Sequence, residues 1–96
     1  MKSLLTLGLL LCLVGSSAAA TITIVNDTDY DAAVRFYSHS DQEWWGPFPV
    51  LAHTSKDFTV PEGYYDIEVT KENGDHYTLI DIWASDDIDG FCHYVQ

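Results

Sequence analysis

The sequence predicts an all-β fold, a small antiparallel β-sandwich of about seven short strands, preceded by a signal peptide. Three observations carry this reading. Polar and apolar residues alternate with period two along much of the chain after residue 20, as half-buried strands require. Turn formers punctuate the chain at short intervals: Asn26-Asp27-Thr28-Asp29, Pro61-Glu62-Gly63, Asn73-Gly74 and Asp86-Asp87-Ile88-Asp89-Gly90. No stretch of that region shows the helical period of an amphipathic helix.

The start of the chain has a different character. Lys2 precedes an apolar run over 4–14, and the small residues over 15–20 close on an A-x-A pattern at Ala18 and Ala20. This arrangement reads as a secretory signal peptide over 1–20, cut between Ala20 and Thr21. The run is well short of the ~20 apolar residues that span a bilayer. The expected destination is secreted and extracellular, or periplasmic in a Gram-negative bacterial host. Residues 21–96 then form one domain.

Strands are expected in the following order. Residues 21–25 alternate, with Ile22 and Ile24 on one face. Ala32, Val34 and Phe36 alternate with Ala33, Arg35 and Tyr37 to give a second strand, and 38–43 is polar loop. The segment 44–51 carries Pro47 and Pro49, which remove ladder donors, so it reads as a loop with a short edge strand. A short strand over 57–60 and the Pro61-Glu62-Gly63 turn follow. Tyr65, Ile67 and Val69 alternate with Asp66, Glu68 and Thr70, and Asn73-Gly74 marks a hairpin into a return strand over 76–83. Residues 91–95 make the last strand.

Charge narrows the range of partners. The whole chain carries 15 acidic residues against 4 Lys and Arg, a formal net charge of −11. Loss of Lys2 with the signal peptide leaves Arg35, Lys56 and Lys71 as the cations. Nucleic acid is excluded as a partner for want of a basic surface, and docking on an anionic membrane is disfavoured for the same reason. Cysteine is scarce. Cys12 leaves with the signal, so Cys92 has no intramolecular partner. It is expected either to be buried as a small hydrophobe, the favoured expectation, or to form an intermolecular disulfide. The domain must therefore rely on burial of its three Trp, four Phe and six Tyr.

Val25-Asn26-Asp27-Thr28, Trp45-Gly46-Pro47, Phe58-Thr59-Val60-Pro61-Glu62-Gly63, Tyr65-Asp66-Ile67-Glu68-Val69, Gly74-Asp75 with Tyr77, and Asp81 together give the chain a likeness. It resembles a small exported β-sandwich domain that recurs in uncharacterised, mostly bacterial, secreted proteins. The resemblance spans nearly the whole domain and implies fold and export. It brings no catalytic residues with it, and the acidic stretch from Asp86 and the lone Cys92 fall outside it.

Four sets of residues are candidates for chemistry. Trp44, Trp45 and Phe48 form an aromatic loop. Neighbours on an extended backbone point to opposite faces, so one of the two Trp is expected outside, where it would serve an extracellular ligand such as a sugar ring or a cation. Asp86, Asp87 and Asp89 offer carboxylates for Ca²⁺, as do Asp27, Asp29 and Asp31, although neither run completes an EF-hand loop. Asn26-Asp27-Thr28 is an N-glycosylation acceptor in an expected surface turn, if the host glycosylates. Cys92 is the candidate for a disulfide-linked dimer. Cys92 and His93, adjacent on a strand, face opposite sides and cannot act as a nucleophile–base pair. His39, His53 and His76 show no zinc-ligand spacing. With no hydrolase, phosphate-loop or metalloprotease motif, the expected function is a non-enzymatic binding or extracellular-matrix-type protein of unknown ligand, monomeric or linked through Cys92. The alternative is a Ca²⁺-dependent structural protein.

Overall fold

The computed structural model describes residues 19–85 and 90–96. The expected signal peptide up to residue 18, and Asp86, Asp87 and Asp89, lie outside the described residues. The described residues hold seven strands and no helix: β1 (Ala19–Asn26), β2 (Ala32–Ser38), β3 (Glu43–Val50), β4 (Thr54–Pro61), β5 (Gly63–Lys71), β6 (His76–Ala84) and β7 (Phe91–Tyr94). They form a three-stranded sheet ordered β4-β1-β7 and a four-stranded sheet ordered β3-β2-β5-β6.

Period-two alternation builds the core. Ala20, Ile22 and Ile24 of β1 turn inward, as do Ala32, Val34 and Phe36 of β2 and Tyr65, Ile67 and Val69 of β5. Val50, Val60, Ala84 and Val95 complete the buried cluster. Each fully buried large aliphatic or aromatic side chain contributes roughly 1.5–3 kcal/mol. β1 begins two residues ahead of Thr21, with Ala19 paired to Pro61 and Ala20 to Val60. A chain cut after Ala20 would lose that buried contact.

Both edge strands of the four-stranded sheet carry a bulge. On β3, Phe36 pairs with Trp45 and Val34 with Phe48, so Gly46 and Pro47 together oppose Arg35. On β6, Tyr65 pairs with Ile82 and Ile67 with Leu79, so Ile80 and Asp81 oppose Asp66. Each extra residue resets the alternation. As a result Trp45 and Phe48, three apart in sequence, both pack inward, as do Leu79 and Ile82. Gly46 makes the first bulge feasible: its φ is +106°, and a Cβ there would sit 2.9 Å from the Val34 carbonyl oxygen. Bulges on edges also blunt pairing with a foreign strand. Pro47 and Pro49 lie on the edge strand expected for this segment, which runs longer than anticipated.

The β5–β6 hairpin turns at Glu72-Asn73-Gly74. The Gly74 amide donates to the Lys71 carbonyl at 2.9 Å, and the Lys71 amide donates to Asp75 at 2.8 Å. Gly74, at φ +97°, takes the left-handed position that closes this three-residue loop. The final strand departs from the antiparallel pattern. β6 belongs to the four-stranded sheet, so the chain changes sheets before β7, which runs parallel to β1 with Ile22 opposite Phe91 and Val25 opposite Tyr94. The other strand pairs are antiparallel.

A hydrogen bond joins the two sheets near the C-terminus. The Tyr77 hydroxyl of β6 shares a hydrogen bond with His93 Nε2 of β7 at 2.7 Å and accepts from the Gln96 amide at 3.1 Å. Burial pushes the His93 imidazole below its ordinary value and the Tyr77 phenol above its own. Because the folded pKa of His93 is depressed, its contribution to stability is present above its unfolded value and is lost as pH falls through the folded one. A His93→Gln variant keeps a hydrogen-bonding amide for Tyr77, able to donate or accept, and cannot titrate. The melting-temperature difference between wild type and this variant should therefore shift against the wild type on acidification from pH 7.5 to 5.5. A difference constant with pH would show that His93 protonates equally well in both states.

Candidate functional site

β2 and β5 form the centre of the four-stranded sheet, and the side chains alternating with their buried ones lie on its outer face. Arg35 and Tyr37 come from β2, with His39 just beyond its end, and Tyr64, Asp66 and Glu68 come from β5. Register places Trp44 of β3 beside Tyr37, and Trp83 of β6 beside Tyr64. The rings make one row across the sheet. Ring centroids are 5.2 Å apart for Trp44–Tyr37, 5.8 Å for Tyr37–His39, 6.4 Å for His39–Tyr64 and 4.8 Å for Tyr64–Trp83. With strands ~4.8 Å apart, the row reaches about 14 Å from β3 to β6. Trp44, Trp83 and Tyr64 are 46%, 48% and 51% exposed, large apolar surfaces left uncovered.

Carboxylates and one cation set the electrostatics of this face. At the β3 end, the Arg35 guanidinium lies 4.3 Å from the Trp44 ring centroid, and Arg35 Nε donates to Glu68 Oε1 at 2.7 Å. In the middle, His39 Nε2 donates to Asp66 Oδ1 at 2.9 Å and lies 3.9 Å from Asp81 Oδ1. The Asp81 amide also donates to Asp66 Oδ1 at 3.0 Å. The His39 hydrogen bond, followed by the Asp81 amide, holds the Asp66 carboxyl below its usual range. Asp81 sits in the left-handed region at φ +56°, the conformation of the β6 bulge that brings it to Asp66. Among the described residues, His39, Asp66 and Asp81 are the group with metal-ligand atoms together, all within 4.8 Å. One imidazole and two carboxylates are a donor set that suits zinc or a similar divalent ion.

The residues singled out in the sequence fall in different places. Trp44 and Trp45 do point to opposite faces. Trp44 joins the outer row, while Trp45 packs on Tyr65 with centroids 5.7 Å apart. Phe48 also turns inward, against Phe36 and Phe58. Asp29 and Asp31 serve loop contacts: His53 Nε2 donates to Asp29 at 2.8 Å, and Asp31 Oδ1 accepts from the Ala52 amide at 2.9 Å. They pin the β1–β2 loop to the β3–β4 turn.

Two expectations are corrected. Asn26 is not in a surface turn; it is fully buried as the last inward residue of β1. Its Nδ2 donates to the carbonyls of Tyr30 at 2.8 Å and Val50 at 2.9 Å, while Oδ1 accepts from the Thr28 amide and hydroxyl. Attachment of a glycan at Nδ2 is incompatible with this geometry. The favoured burial of Cys92 also fails: its thiol is free and exposed. β7 is an edge strand whose Phe91 and His93 take the inner positions, leaving Cys92 and Tyr94 outside.

Sequence reasoning missed Tyr37, His39, Tyr64 and Trp83 as a set. Each occupies an outward position where a polar residue is the ordinary choice for a solvated sheet face, and that excess of aromatics was the available signal. No protein-family model, no curated protein and no solved structure matches this chain.

Proposed function

We propose that the chain is a secreted, non-enzymatic binding protein whose ligand surface is the outer face of the four-stranded sheet. The observation that carries this reading is the aromatic row from Trp44 to Trp83, with three rings about half exposed on one face. Such rings are the usual energetic anchors of recognition surfaces. The signal-like N-terminus and the resemblance to exported β-sandwich domains are in keeping with an extracellular role. The non-enzymatic reading is supported by the separation of the reactive groups: Cys92 lies in the three-stranded sheet, whereas His39 packs on the outer face of the other.

The test is a panel of immobilised polysaccharides and of basic and acidic peptides, probed with wild type and a Trp44→Ala/Trp83→Ala variant. Wild type should be retained by at least one class, with the variant about 30-fold weaker, as expected when an anchoring aromatic worth about 2 kcal/mol is removed. Losing cross-strand aromatic pairs should cost stability only about 1 kcal/mol each. Equal retention of both proteins on every class, or global unfolding of the variant, would end this reading.

Exposure of Cys92 on the edge strand β7 favours a second reading, a disulfide-linked dimer. On a non-reducing gel the secreted protein should then run in part at dimer mass, and Cys92→Ser should remove that band. A monomer band alone in wild type would dismiss the dimer.

A further inference from the structure

We propose that the Trp83 end of the outer face receives an arginine or lysine side chain from a basic partner polypeptide. This inference rests on the reading of that face as the binding surface and names what binds there. The opposite end already displays the chemistry. Arg35 lies between an indole face and a carboxylate, 4.3 Å from the Trp44 centroid and 2.7 Å from Glu68 Oε1. A cation over an aromatic face is drawn to the negative face of the ring, and a hydrogen-bonded carboxylate reinforces it.

The β6 end presents the same kinds of group. Trp83 and Tyr64 pair there, and the Tyr64 ring lies 6.4 Å from the His39 imidazole, which bonds Asp66 and lies 3.9 Å from Asp81. The described cations are all placed elsewhere. Arg35 is on Trp44, Lys56 is 5.8 Å from the Phe58 ring, and Lys71 is 3.8 Å from Asp75. A net charge of −11 draws basic chains by long-range attraction and opposes a second copy of this one. Ring geometry favours a compact cation over a flat polysaccharide. The Trp44–Tyr37 and Tyr64–Trp83 rings are tilted 56° and 55° from one another, so each end offers single ring faces rather than one shared plane.

The experiment titrates the full secreted chain with a nona-arginine peptide at 150 mM salt, in chelator so that no metal ion occupies His39, Asp66 and Asp81. A soluble neutral β-glucan is titrated in parallel. Trp83→Ala should weaken peptide binding about threefold to fivefold through loss of the cation–π face. Asp81→Asn should weaken it about threefold to tenfold, whereas Asp27→Asn, which removes the same charge from a distant exposed loop, should change it less than about twofold. Equal weakening by Asp81→Asn and Asp27→Asn, with no effect of Trp83→Ala, would mean diffuse charge attraction and overturn the proposal. Trp-dependent binding of the glucan without binding of the peptide would overturn it and leave the aromatic-face reading standing. Loss of Trp dependence for both probes would overturn the proposal and count against that reading as well.

Discussion

Replacing Asn26 by Asp should destabilise the protein by about 4 kcal/mol at pH 7, since breaking a buried polar set typically costs 3–5. The two side chains have nearly the same shape, so the substitution isolates the two Nδ2 hydrogens. In the native protein these bridge the carbonyls of Tyr30, in the β1–β2 loop, and Val50, at the end of β3. Asn26 thereby ties the three-stranded sheet to the edge of the other. In the variant a carboxylate oxygen faces two carbonyl oxygens in a site with no exposure. Burial raises the pKa of that carboxyl above its unfolded value, because the charged form is the one disfavoured. A raised pKa means that the deficit is smallest below the unfolded value and grows as pH rises through the folded one. Urea denaturation should therefore show a large loss at pH 7 that narrows toward pH 4. A loss under about 1 kcal/mol at pH 7 would mean that the two carbonyls find other donors.

Phe36→Ala should cost about 3–5 kcal/mol, the range for deleting a buried aromatic ring. Phe36 is 1% exposed and stands where the sheets meet. Its ring is 5.0 Å, edge-on, from Phe58 of β4 and 6.1 Å from Phe48 of β3. A domain of this length holds about 4–11 kcal/mol in total, and Cys92 is a free thiol that makes no staple. Phe36→Ala should therefore remove about half of that stability, giving an early thermal transition and a larger unfolded fraction at 37 °C. The neighbouring Tyr37→Ala, on the outer face, should cost about 1 kcal/mol by loss of its ring pairs. Melting curves of the two variants that coincide would contradict the assignment of the faces.

How far the sequence could be read depends on the element. In β1, β2 and β5 strict alternation names the buried residues one by one, and the structure agrees at Ile22, Ile24, Val34, Phe36, Tyr65, Ile67 and Val69. The same alternation, carried one step further, puts Asn26 inside; its turn-forming character masked that. Pro47 and Pro49 place β3 at an edge, because an edge needs fewer donors. Alternation fails in β3 and β6, where a bulge shifts the phase, and so the inward positions of Phe48 and Leu79 are invisible to a period-two reading.

The candidate site was legible in one residue, Trp44. An outward position can be inferred from a strand's own pattern, but a row of rings needs the strands placed side by side. Tyr37 and Tyr64 come from strands well separated in sequence, and Trp83 joins them through the register of β6 on β5.

Class, strand count and the two faces of the regular strands follow from local chemistry: period-two burial, turn residues, and prolines that cannot donate. Strand order, the parallel seating of β7 on β1, the depth of Asn26 and the aromatic face follow from pairing between distant segments. The physical reason is that alternation is a property of each backbone segment, fixed by the pleat, whereas neighbours and register are chosen by the shared core.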